Sequence, residues 1–279
     1  MADAINDITL KLANYLFEQH GEFHSVSISG IITYLTLLLV NFGLMGPAKY
    51  HLLDFLNCNY SFLEISHSMY ILNYKCIDYF TMDEFLKVGR VKTAFFHSMP
   101  PIENFQQTAL QYFDVDLQSI DAKNKDSQLR TLNEWGKTLQ DVPFSDIFIE
   151  SYKKELSLLI INEYFLRFQW EMPFHPESTK KGKFKNINSR IVGVEMMRRV
   201  QFLRYYDDQE LNASIAFIEL LEKNVYAALV LPNEDDGVMD LLKRMNVILK
   251  FNTEPNNEEM VSWFCCQTNR CKITQIYNL

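Results

Sequence analysis

The chain has 279 residues, 48% of them apolar, 14% aromatic and 22% charged, with a formal net charge of −8 and a pI of about 5.3. This is globular composition, with apolar residues enough for a sizeable core and a length that suits one large domain or two small ones. A negatively charged chain repels a phosphate backbone, which excludes nucleic acid as a partner in the absence of a strong basic patch.

In chain order, the first segment, "MADAINDITLKLANYLF", spaces Ile5, Ile8, Leu12 and Leu16 helically and predicts an amphipathic helix over 3–19. It carries Asp3 and Asp7 where a secretory signal would carry basic residues, so it reads as a mature helix and the chain as cytoplasmic. Ser25 and Ser27 are N-cap candidates for a buried helix running through Leu39. Its most hydrophobic part, "IITYLTLLLV", is interrupted by Thr33 and Thr36 and is too short to span a bilayer, so no membrane partner is expected. Gly46-Pro47 breaks the chain, and Pro47 suits the first turn of the helix "AKYHLLDFL". Apolar spacing predicts further helices near 62–80, 103–113 and 127–140. A short strand, "RVKTAFFHS", lies between the first two and is closed by Met99-Pro100-Pro101.

The second half reads as strand. Over 156–170 a period of two places Leu156, Leu158, Ile160, Asn162, Tyr164, Leu166, Phe168 and Trp170 on one apolar face, with Glu163, Phe165, Arg167 and Gln169 on the other. Asn162 is the amide among them. A buried amide without partners costs ~1–3 kcal/mol, so hydrogen-bonding partners are expected close to it. "FKNINSRIVGVEMM" follows with a turn at Asn186 to Ser189, then "VQFLRYY". "SIAFIELL" and "VYAALVLP" form a hairpin joined by Glu222-Lys223-Asn224, and Gly237 opens the helix "VMDLLKRM". Residues 250–279 are polar, irregular and weakly periodic. Helices first and strands later give an α+β chain with antiparallel or mixed sheets.

The residues offer no catalytic chemistry. GxSxG, HExxH, GxxxxGK and GxGxxG are missing, and the six histidines are scattered, His20 and His24 lacking an acid or cysteine at ligand spacing. Glu254, Glu258 and Glu259 lack the oxygen-ligand loop of a calcium site. No enzyme, metal or cofactor is expected. Lys180, Lys181, Lys183 and Lys185 read as a solvated turn and strand edge. Five cysteines, Cys58, Cys76, Cys265, Cys266 and Cys271, form no CxxC pair, and the odd number reads as free thiols in a reducing compartment. Asn59-Tyr60-Ser61 and Asn212-Ala213-Ser214 are glycosylation sequons that matter only in a secreted chain.

Several linked motifs resemble the serpin family. "NEYFLRFQWEMPFHPESTKKGKF" follows that family's pattern at Asn162, Phe165, Trp170, Pro173, Phe174, Thr179 and Phe184. "VGVEMMRRVQFLRYYDDQELNASIAFIEL" and "ALVLPNEDDGVMDL" are similar to later blocks. "SVSISGIITYLTLLLV" resembles the start of the family's buried second helix, and "LNEWGKTLQ" the helix that crosses the front of its main sheet. The resemblance runs from about residue 5 to about residue 247. It implies N-terminal helices packed on a large mixed or antiparallel sheet, incomplete at the C-terminal end: an incomplete serpin-like domain over 1–249 and a divergent polar tail over 250–279. It implies that Asn162 sits in a shutter facing Ser27, with His24 and Ser25 beside it, and that Trp170 sits at the breach where the sheet opens. It also makes an extracellular location the alternative to a cytoplasmic one.

The activity implied is inhibition of a serine protease. An exposed loop is cleaved, an acyl-enzyme forms, and the loop inserts into the main sheet of a metastable fold. That mechanism needs a hinge of small residues after the glutamates. Here Glu258-Glu259 is followed by Met260, Val261, Ser262 and Trp263, and no Pro-Phe motif follows. The expectation is therefore a non-inhibitory chain without a reactive-centre loop. The alternatives are a binding or scaffold protein that associates with itself or adds a partner strand to an exposed sheet edge, and a truncated gene product.

Overall fold

In a computed structural model of the chain, residues 2–20, 27–66, 69–76, 83–138, 157–185, 190–223, 225–233, 237–247, 258–266 and 270–275 are described. They form two units: Met1–Ile8 with Ser29–Arg167, and Thr9–Ile28 with Phe168–Leu279.

Helix α1 (Ala2–His20) follows the spacing of its apolar residues. Its first seven positions, Ala2 to Ile8, group with the first unit, where Ala4 and Ile8 join the core. Helix α2 (Gly30–Gly43) starts later than its hydroxyl-rich approach predicts. Ser29, not Ser27, is its cap, accepting the Ile32 N–H at 3.4 Å. Ser25 and His24 lie outside the described residues. Thr33 and Thr36 donate their hydroxyls to the carbonyls of Ser29 and Ile32 at 2.9 and 2.8 Å, so neither polar residue interrupts the helix. Tyr34, Leu38 and Leu39 are buried along it. Helix α3 (Pro47–Phe55) opens on its proline.

The segment expected to be helical near 62–80 is instead a hairpin, β1 (Tyr60–Ser66) with β2 (Met69–Tyr74), paired antiparallel. Its tyrosines, phenylalanine and isoleucines favour a pleated surface. Cys58 and Cys76 are joined by a disulfide across its open end, with Cα atoms 5.2 Å apart. The reading of these two cysteines as free thiols is therefore corrected; their spacing carries no short motif, and only the hairpin brings them together.

Helix α4 (Asp83–Val88), strand β3 (Gly89–His97), helix α5 (Glu103–Phe113), strand β4 (Val115–Ser119), helix α6 (Lys125–Gly136) and strand β5 (Leu158–Leu166) complete the first unit. Asn124 caps α6 through the Ser127 N–H at 3.0 Å. The sheet order is β4-β3-β5, with β3 parallel to β4 and antiparallel to β5. Strand β5 is shorter than its sequence pattern, and both of its faces are apolar. Leu159 and Ile161 pack with Ala94, Phe96, Leu132 and Trp135; Ile160 packs on the other side with Leu39, Phe95 and Phe105. A strand covered on both faces needs no strict alternation.

The second unit is built on β6 (Lys180–Lys185), β7 (Ile191–Asp208), β8 (Ala213–Glu219) and β9 (Tyr226–Pro232), followed by helix α7 (Val238–Val247). The turn expected at Asn186 to Ser189 lies outside the described residues. Lys180, Lys181 and Lys183 are exposed along β6. Residues 250–279, expected to be irregular, contribute β10 (Glu258–Cys266) and β11 (Arg270–Gln275). The six strands form one sheet in the order β11-β10-β7-β8-β9, with β6 also on β7. The 18 residues of β7 are shared along their length: Ile191–Met196 with β6, Met196–Arg204 with β10, Arg204–Asp208 with β8. Leu203, Tyr205, Ala216 and Ile218 form one core of this unit, and Leu211, Ala213, Ile215 and Leu241 another.

Candidate functional site

Asn162 stands directly across the β3–β5 ladder from Thr93. Its Oδ1 accepts the Thr93 hydroxyl at 2.9 Å, and its Nδ2 donates to the Thr36 hydroxyl at 2.9 Å. Thr36 in turn donates to the Ile32 carbonyl. A continuous chain of polar bonds thus ties two strands to α2 through a half-buried amide. A cavity of about 270 Å³ adjoins it, lined by Thr36, Thr93, Asn162, Ile32, Leu39 and Val115 among others.

The opposite face of β5 carries the neighbouring Glu163, which is 6% exposed and has no hydrogen-bond partner on either carboxylate oxygen. Burial pushes its carboxyl above the usual glutamate range, and Lys92, directly opposite in the ladder, pulls the other way. Lys92 itself is held by Asp116 at 3.0 Å and Thr138 at 2.5 Å, and stands 5.9 Å from the Trp135 ring. Trp135 donates its indole N–H to Asp116 at 2.9 Å, linking α6 to the sheet. Burial also raises the Tyr164 hydroxyl, against a hydrogen bond with the Ser29 backbone that lowers it.

Ser27 is exposed and belongs to the second unit, while the hydroxyls bonded to Asn162 are those of Thr36 and Thr93. The placing of Ser27 beside Asn162 is an expectation from the resemblance; the hydroxyls that Asn162 bonds are Thr36, to which it donates, and Thr93, from which it accepts. Thr36 is visible in the sequence as an interruption of the apolar run, four positions after Ile32 and so on its face of α2. Thr93 needs the strand register, which the sequence does not supply. Trp170 forms a single bridge with Leu220 in the second unit, and the bond from Leu221 N–H to Gln169 at 2.8 Å holds the same crossing. Its ring packs with Leu203, Tyr205, Ala216 and Ile218.

No helix among the described residues is long and apolar enough to cross a membrane. The groups gathered around Asn162 are amides and hydroxyls that lock elements together, without a nucleophile paired to a base. The family model for serpins, described as serine protease inhibitors, matches residues 3–265. The chain belongs to the serpin family. Serpin H1 of Gallus gallus is 24% identical to this serpin over 161 residues, covering 58% of this chain and 37% of that protein. Serpin B3 of Homo sapiens is 20% identical over 171 residues, covering 61% and 41%. The matched region of this serpin thus spans well under half the length of these curated relatives. Among solved structures, reaction-loop-cleaved lamprey angiotensinogen superimposes with a TM-score of 0.69 at 18% identity, covering 94% of this chain and 77% of that one. At that identity the likeness shows the α+β serpin fold.

Proposed function

We propose that residues 1–279 form a serpin-family protein that binds other proteins without trapping a protease by loop insertion. The family is one of protease inhibitors rather than enzymes. The observation that carries the reading lies at Glu258–Cys266. After Glu258-Glu259 the sequence runs Met260, Val261, Ser262, Trp263, Phe264, bulky where an inserting hinge requires small side chains, and the whole segment is β10, laddered along β7. Incubation with a panel of serine proteases, followed by denaturing electrophoresis, tests it. Substrate-like cleavage or no reaction is expected, and a covalent complex that survives denaturation would refute it.

Strand β5 supports the binding mode. Among the described residues it pairs on one side only, with β3, and leaves Leu158 and Leu166 exposed at 52% and 40%. An unpaired apolar edge accepts a further strand, from a partner or a second copy. Asn162 with Thr36 and Thr93 serves as the shutter of this serpin, and Trp170 marks its breach. A serine protease is a partner by family analogy alone. The Cys58–Cys76 disulfide favours the extracellular alternative over a cytoplasmic location, since the reducing cytosol keeps such pairs open.

A further inference from the structure

The two sequons differ sharply in what the fold does with them. Asn59 is exposed, in the short connection between Asn57, at φ +47°, and the start of β1. Its backbone is fixed, the carbonyl accepting the Lys75 N–H at 2.9 Å, while its side chain faces solvent. Cys58, immediately before it, is half of the disulfide. Asn212 is the reverse case. It is half-buried at φ +48° between the buried Leu211 and Ala213, and its side-chain oxygen accepts the Asn233 amide at 2.7 Å. The Asn233 N–H also donates to the Asn212 carbonyl at 3.1 Å, closing the base of the β8–β9 hairpin. Asn212 is the less exposed of the two and its amide is already oriented by the bond to Asn233; Asn59 is open to water.

We infer that Asn59 carries an N-linked glycan in the native protein and that Asn212 does not. The inference rests on the extracellular reading above, because sequon glycosylation and disulfide formation belong to the same compartment. In the transfer, the Asn59 amide nitrogen bonds to the anomeric carbon of a lipid-pyrophosphate-linked oligosaccharide. The bond from that carbon to the pyrophosphate oxygen breaks, the lipid pyrophosphate leaves, and the amide loses one proton. In the disulfide, Cys58 and Cys76 give up two protons and two electrons to the disulfide of a dithiol oxidoreductase.

The test is the intact mass of the native protein before and after peptide N-glycosidase, with peptide mapping under non-reducing conditions. The full chain is also secreted from eukaryotic cells behind a cleavable leader. One glycan is expected on each, together with a Cys58–Cys76 cross-link. In the secreted chain Asn59→Gln and Ser61→Ala each abolish the glycan, and Asn212→Gln leaves it unchanged. Ser61→Ala keeps the asparagine, so it separates loss of the sequon from loss of folding. A native protein with the cross-link but no glycan would overturn the assignment to Asn59 and leave the extracellular reading standing. A native protein with neither would overturn both. A glycan at Asn212 instead of Asn59 would overturn the site.

Discussion

Asn162 is the residue on which sequence and structure meet most closely. Its period-two position on an apolar strand demands polar partners, and two hydroxyls meet that demand from different elements. Replacing Asn162 by Leu takes the acceptor from the Thr93 hydroxyl and the donor from the Thr36 oxygen, which keeps its bond to the Ile32 carbonyl, and is expected to lower unfolding stability by about 1–3 kcal/mol. Ser27→Ala, at an exposed position, should leave the denaturation midpoint where it is. Equal effects from the two variants would return the partnership to Ser27. Glu163 yields a pH prediction of opposite character. Its carboxyl is held above the ordinary value of 4.5 by burial, so the folded state keeps a proton that the unfolded chain gives up. Stability is therefore greatest below that value, falls as the pH rises through it to the raised folded value, and stays lower above. Glu163→Gln should remove this part of the pH dependence and raise the neutral-pH melting temperature. A variant that melts lower at neutral pH, with the same pH profile as the parent, would mean that Lys92 compensates the charge fully. Nothing in the sequence marks Glu163, because its burial depends on which face of β5 lies under α6.

Among the elements, those with a strong single period were legible: α1, α2, α5, α6, α7, β3 and the β8–β9 hairpin stand where spacing puts them. The 62–80 segment was not, because its closely spaced apolar residues fit either period, and pairing through the Cys58–Cys76 end decides for the hairpin. That link makes a prediction at this scale. With the cysteines 18 positions apart, opening the disulfide frees loop entropy worth about 3 kcal/mol in the unfolded chain. Reduction, or Cys58→Ser, should lower stability by roughly 2–4 kcal/mol, measured as the shift in denaturant midpoint with and without reductant. An unchanged midpoint would show that the hairpin holds by its ladder alone. The tail was misread for a different reason. The polar residues 250–259 and 267–272 mask the short apolar run Met260 to Cys266, and β10 follows the register of β7 over nine positions from Glu258 to Cys266.

At the scale of the molecule, β10 covers the stretch of β7 from Met196 to Arg204 that an incomplete sheet would leave open. Ending the chain at residue 249 should expose it and drive self-association. Size exclusion under reducing conditions should show larger species for 1–249 than for 1–279; identical elution would mean that β10 protects nothing. The family of this chain was legible because several motifs fall in order along it, whereas its action depends on what the segment after the Leu-Pro-Asn-Glu block does. Loop insertion draws on a metastable fold that gains a strand when it is cut, so a trapping serpin becomes more stable on cleavage. The melting temperature before and after limited digestion by a serine protease therefore tests the central claim most directly. The account predicts that the nicked chain melts at or below the temperature of the intact one, and a large rise on cleavage would contradict it.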